Sequence, residues 1–151
     1  AWTDPFGLDT VTSNVGGRDY TFQRDSQGRT VRAEGPLCNP NRIQNEHRDT
    51  SAQRNVSAGT GDHAGHLIGN QFGGPGGQEN LTRMCPTLNL SGWKKMENQL
   101  KTLTRANSVR VVVTVHYDGN STVPSRFTVD AHITDRKGNV TQKRWIHKNC
   151  T

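Results

Sequence analysis

The chain has 151 residues, which is enough for one domain around a single core and too few for two of ordinary size. Only 30% of the residues are apolar and 16 are glycine, so a small core with long loops is predicted, and no apolar run approaches the length that spans a bilayer. Lys and Arg number 19 against 13 Asp and Glu; the net charge of +6 favours a polyanionic partner through counterion release, although scattered basic residues also serve solubility.

The amino end has neither a starting Met nor a basic-then-apolar leader, and reads as a piece released from a larger protein or as a mature fragment. Residues 1–17, rich in Gly and Thr without sustained periodicity, read as a linker ahead of a domain over 18–151. From Tyr20 to Glu34, two short segments flank the turn-forming cluster Asp25-Ser26-Gln27-Gly28 and predict a polar hairpin. Pro36 and Pro40 open a polar stretch that is irregular or partly helical around Gln44 to Val56.

His66 to Phe72 is short and apolar enough for a strand, Gly73-Gly74-Pro75-Gly76-Gly77 for a loop, and Asn80 to Met84 for a second strand. Beyond Pro86, the residues Trp93, Met96, Leu100 and Leu103 recur at spacings of three and four. They predict one helix face turned to a core, with the helix ending near Asn107. In the carboxyl third, Val109, Val111, Val113, Val115 and Tyr117 alternate with mostly polar residues, and Phe127, Val129, Ala131 and Ile133 alternate again after Asp118-Gly119. A turn at Lys137-Gly138-Asn139 leads to a third strand, Val140 to His147, giving an antiparallel meander beside one main helix, an α+β fold. Cys38, Cys85 and Cys150 lack the paired spacing of a structural zinc site; one disulfide with a spare thiol and three reduced thiols both stay open.

The segment from Gly61 to Glu97 carries the chemistry. Cutting a phosphodiester requires a base for the attacking water, a cation against the charge building on phosphate, and stabilisation of the leaving oxygen. His66 is the candidate base, because imidazole with an ordinary pKa of about 6.5 accepts a proton near neutral pH; a solitary His is more often a hydrogen-bonded structural residue. Asn89 is the candidate metal ligand, since a hard cation takes oxygen and keeps most of its waters, whereas the bland alternative is helix capping. Glu97 lies eight residues on, two helical turns plus roughly 80° around one helix, and could hold a metal-bound water or simply be a solvated charge. Arg54, Arg83, Lys94 and Lys95 are candidates for phosphate contact or surface charge.

Gly65-His66-Leu67-Ile68-Gly69, Phe72-Gly73-Gly74-Pro75-Gly76, Glu79-Asn80-Leu81, Asn89 and Trp93-Lys94-Lys95-Met96-Glu97 together resemble the DNA/RNA non-specific endonucleases of the His-Me finger (ββα-metal) group, in the branch found as toxin domains of bacterial polymorphic toxins. The resemblance runs from about Tyr20 to His147 and implies that His66 is the general base, Asn89 the direct Mg2+ (or Mn2+) ligand, and Glu97 a residue orienting the metal's water shell. The family often has Asp-Arg-Gly-His where this chain has Asp62-His63-Ala64-Gly65-His66, so that His63 stands where an acidic residue is common. At the amino end, Asp4-Pro5-Phe6-Gly7-Leu8 is similar to the Asp-Pro-x-Gly-Leu boundary that closes the Rhs core, after which a variable toxin follows.

The two resemblances imply a metal-dependent endonuclease toxin that hydrolyses DNA, with RNA as a second candidate substrate, and acts as a secreted effector in the cytoplasm of a target cell. They also imply a parent Rhs-type delivery protein and a cognate immunity protein, acidic where it meets the basic cleft. The alternative is a catalytically inactive, basic nucleic-acid-binding module on the same scaffold, and a third reading is a structural segment of the parent toxin.

Overall fold

In the computed structural model, which describes residues 8–43 and 49–150, six strands form one antiparallel sheet in the order β1-β2-β3-β6-β7-β8. They are β1 (Asp9–Val15), β2 (Arg18–Arg24), β3 (Thr30–Leu37), β6 (Ser108–Tyr117), β7 (Pro124–Thr134) and β8 (Val140–Lys148). Inserted between β3 and β6 are α1 (Thr50–Ser57), the two-stranded hairpin β4 (His63–His66) and β5 (Leu81–Met84), a short helix α2 (Pro86–Leu90) and the main helix α3 (Gly92–Leu103). The fold is α+β, as the alternation and helical spacing predict.

The sheet buries one face because its strands alternate. Val109, Val111, Val113 and Val115 on β6 lie register by register beside Ile133, Ala131, Val129 and Phe127 on β7, and all eight are buried. The opposite face carries Arg110, Arg126, Asp130 and Arg144, with Arg144 reaching Asp130 at 2.6 Å. Helix α3 lays Trp93, Met96 and Leu100 on the buried face, and the Trp93 and Phe127 rings meet edge to face with centroids 5.3 Å apart. The predicted core stripe is thus observed, with Leu103 packed at its margin.

Several boundaries differ from expectation. Residues 9–15, read as linker, form the edge strand β1 in register with β2, with Val11 and Val15 packed partly buried against the core. Residues 44–48 of the expected partly helical stretch, and residues 4–7 of the Rhs-like boundary, lie outside the described residues. The strand expected over His66 to Phe72 instead ends at His66, and Asn70–Phe72 is a 3₁₀ turn. Helix α3 stops at Leu103, four residues short of Asn107.

A single side chain accounts for the early end of β4. Asn80 is fully buried; its Oδ1 accepts from the Ile68 N–H at 2.9 Å, while its Nδ2 donates to the carbonyls of Ile68 at 2.7 Å and Pro75 at 2.8 Å. The amide thereby replaces the strand partner that Ile68 lacks and folds the glycine loop back on itself, with both donors and one acceptor position used inside the core. Gly74 is required at the closest approach, since a Cβ there would lie 2.2 Å from the Ile68 carbonyl oxygen. Asn80→Ala strips the buried Ile68 N–H and carbonyl of their side-chain partner and leaves the Pro75 carbonyl only the Asn70 amide at 3.4 Å, and is expected to cost about 3 kcal/mol of stability, read as a lower midpoint in urea unfolding.

Candidate active site

Strand β4, the turn after it at Gly69, and helices α1, α2 and α3 line an open, mostly polar cleft of about 410 Å3. His66, Asn89, Lys94 and Glu97 all line it, so four of the seven residues singled out in sequence share one site. His66 is the last residue of β4, paired with Leu81, and the buried Leu67 and Ile68 that follow tie its backbone to the core. Gln53, Gln71 and Asn98 also line the cleft and were missed in sequence, where isolated amides in polar stretches carry no signal.

Asn89 is not a helix cap. Its backbone N–H bonds the Cys85 carbonyl inside α2, and its side-chain amide points Nδ2 at Nδ1 of His63, 3.0 Å away. The chain breaks at Ser91 (φ −124°, ψ −87°) between α2 and α3, so Asn89 and Glu97 sit on two different helices rather than two turns apart on one. They still face the same cleft because α2 and α3 pack on each other across that break.

Helix α2 is held by the carboxyl-terminal residues. The Cys85 N–H donates to Oδ1 of the buried Asn149, whose Nδ2 donates to the carbonyls of Arg83 and Pro124. A Cys85–Cys150 disulfide closes a separation of 65 residues on the same spot, while Cys38 stays a free thiol.

Glu97 is half-buried, and its carboxylate packs so close to the backbone that a Cβ on Gly69 would fall 2.6 Å from Oε2. Removal from water raises its pKa from the ordinary 4.5 to about 7. The remaining basic candidates separate. Lys94 is exposed at the cleft, whereas Lys95 and Arg54 are exposed but do not line it. Arg83 is turned into an ion pair with Asp62 at 2.9 Å and lines a second cleft of about 400 Å3 with Arg29 and Tyr117.

The donor set suits a hydrated hard cation. Among the described residues there is no cluster of three or more His, Cys, Asp or Glu, which argues against a closed, all-protein cage. One amide and one carboxylate lining a cleft of about 410 Å3 match an ion that keeps most of its water, since five waters at about 30 Å3 each need roughly 150 Å3.

A family model for DNA/RNA non-specific endonucleases matches residues 9–135. Among solved structures, a chain of the EndoG/EndoGI complex aligns at a TM-score of 0.71 and 15% identity, covering 96% of this chain and 76% of that one. NucA from Streptococcus agalactiae aligns at 0.65 and 16% identity, covering 94% and 84%. Sda1 nuclease with bound zinc aligns at 0.61 and 15% identity, covering 94% and 83%. At these identities the structures establish the shared fold.

The raised pKa makes Glu97 a stability cost at high pH. The folded state holds a proton on Glu97 that the unfolded state has lost between about pH 4.5 and 7, so stability falls as pH rises through that window. Glu97→Gln removes the penalty, and is expected to stabilise the metal-free protein by on the order of 1–3 kcal/mol at pH 8 and by little at pH 4. Thermal melts at the two pH values check this; equal shifts at both would contradict the desolvated carboxylate.

Proposed function

Because the chain belongs to the DNA/RNA non-specific endonuclease family, we propose that it hydrolyses phosphodiester bonds with His66 as general base and a divalent cation, Mg2+ or Mn2+, held by Asn89. The observation that carries the reading is the convergence of His66, Asn89 and Glu97 on one solvent-facing cleft. His66 takes a proton from the attacking water as oxygen adds to phosphorus, the P–O bond to the leaving oxygen breaks, and that oxygen takes up a proton from water in the cleft. A cation at Asn89 supplies charge neutralisation on the phosphate and the leaving oxygen. Glu97 accepts hydrogen bonds from water beside Asn89, and its carboxylate ionises more readily once a cation offsets the desolvation. Lys94, at the mouth of the cleft, contacts the phosphate backbone and reads no bases, in keeping with low sequence specificity. Arg83 is committed to Asp62, and Lys95 and Arg54 contribute through the general positive field.

The biological setting is part of the same proposal. A nuclease behind an Rhs-like boundary acts as a secreted toxin in interbacterial competition, delivered by its parent protein and neutralised in the producing cell by an acidic immunity protein. No helix among the described residues is long and apolar enough to cross a membrane. The Cys85–Cys150 disulfide suits a chain that passes through an oxidising compartment. Neighbours described as an extracellular nuclease and as EndoG with its inhibition by EndoGI support secretion and a protein inhibitor by analogy.

Supercoiled plasmid DNA and a structured RNA, each incubated with Mg2+ with and without chelator, test the chemistry. The expected outcome is nicking and linearisation that chelator abolishes and that His66→Ala slows by about 10²–10⁴-fold. Binding without turnover in the wild type would instead favour the inactive binding module.

A further inference from the structure

We propose that His63 is a positioning residue that fixes which end of the Asn89 amide faces the cation, an inference that rests on the reading of Asn89 as the metal ligand. An asparagine amide is almost symmetric in shape, yet one end accepts and the other donates. Packing alone therefore does not choose between presenting an oxygen to the cleft and presenting an NH2 group that repels a cation. The backbone of Asn89 is already fixed, since its N–H bonds the Cys85 carbonyl and Cys85 is itself tied to Asn149 and Cys150. Rotation of the amide is the freedom that remains.

His63 removes it. The first residue of β4, it brings Nδ1 to 3.0 Å from Asn89 Nδ2 across a sequence distance of 26 residues. With the ring proton on Nε2, Nδ1 can only accept, so the amide must donate to it and its Oδ1 is directed away. The reversed amide would set an oxygen lone pair against the Nδ1 lone pair. In that tautomer His63 stabilises the cation-binding orientation of Asn89 before any ion arrives, and it does so from the strand that also carries His66. Its separation from the ion-facing oxygen by the width of the amide makes it a residue that acts through Asn89 rather than on substrate.

The chemistry demands only an acceptor at the Nδ1 position, and this specifies the variants. His63→Asn supplies an Oδ1 close to the place of Nδ1, His63→Phe keeps a ring without an acceptor, and His63→Ala leaves a gap; the three are compared with Asn89→Ala and with the His63→Phe/Asn89→Ala pair. Mn2+ binding to each full-length variant, without nucleic acid, is followed by loss of the free Mn2+ EPR signal, with thermal melts reporting folding. Expected are about tenfold weaker Mn2+ binding in His63→Phe and His63→Ala, binding within about threefold of wild type in His63→Asn, and no further loss when His63→Phe is added to Asn89→Ala. Wild-type affinity in folded His63→Phe, while Asn89→Ala has lost binding, would overturn the role of His63 alone. An undiminished affinity in Asn89→Ala would overturn the metal-ligand reading on which it rests. Equal loss in His63→Asn and His63→Phe would show that the ring matters for packing and not as an acceptor, which also overturns the proposal.

Discussion

A five-residue helix cannot hold an amide still by its own hydrogen bonds, yet the proposed cation site requires α2 to do so with Asn89. Too few turns exist for propagation to repay nucleation, so the order of α2 must come from its attachments. Those attachments are specific. Asn149, 2% exposed, joins the Cys85 N–H to the Arg83 and Pro124 carbonyls, and the Cys85–Cys150 bond ties the same residue to the end of the sheet. A chain-entropy estimate for closing a loop of that length gives about 4 kcal/mol against the unfolded state. The same anchor therefore serves global stability and the placement of α2, which carries Asn89.

The cleft's other side is organised by a second buried amide. Asn80 stands in for a strand neighbour at Ile68, so that β4 can stop at His66 without stranding buried backbone groups. The strand end is what lets His66 reach an open cleft while Leu67 and Ile68, immediately after it, are in the core. Between the two anchored elements lies Glu97, whose desolvated carboxylate is a cost that the fold accepts at this position. A charge held out of water gains most from a cation, which links the cost carried at Glu97 to the proposed use of the cleft.

Much of this was legible in sequence where periodicity and burial coincide. The alternating strands β6 and β7 and the Trp93, Met96, Leu100 stripe were readable because each inward residue removes apolar area from water. His66, Asn89 and Glu97 were legible as a set only through their resemblance to a family pattern, since no local rule joins residues on three separate elements. What stayed hidden depended on single contacts. Strand β1 is an edge strand with little apolar alternation; the break at Ser91 separates helices whose apolar spacing reads through it; and Arg83, a plausible phosphate ligand by residue type, is spent on Asp62. The link between His63 and Asn89 crosses 26 residues and depends on the direction of one amide, which spacing does not encode.

His66 and Asn89 are proposed to flank one hydrated divalent cation. An anomalous difference map from crystals soaked in Mn2+ tests it most directly. The expected result is one peak in the cleft, about 2.1 Å from Asn89 Oδ1, with water completing an octahedron and His66 on the side left for substrate. A cleft without a peak, or a peak bound elsewhere with Asn89 Oδ1 uninvolved, would contradict the claim.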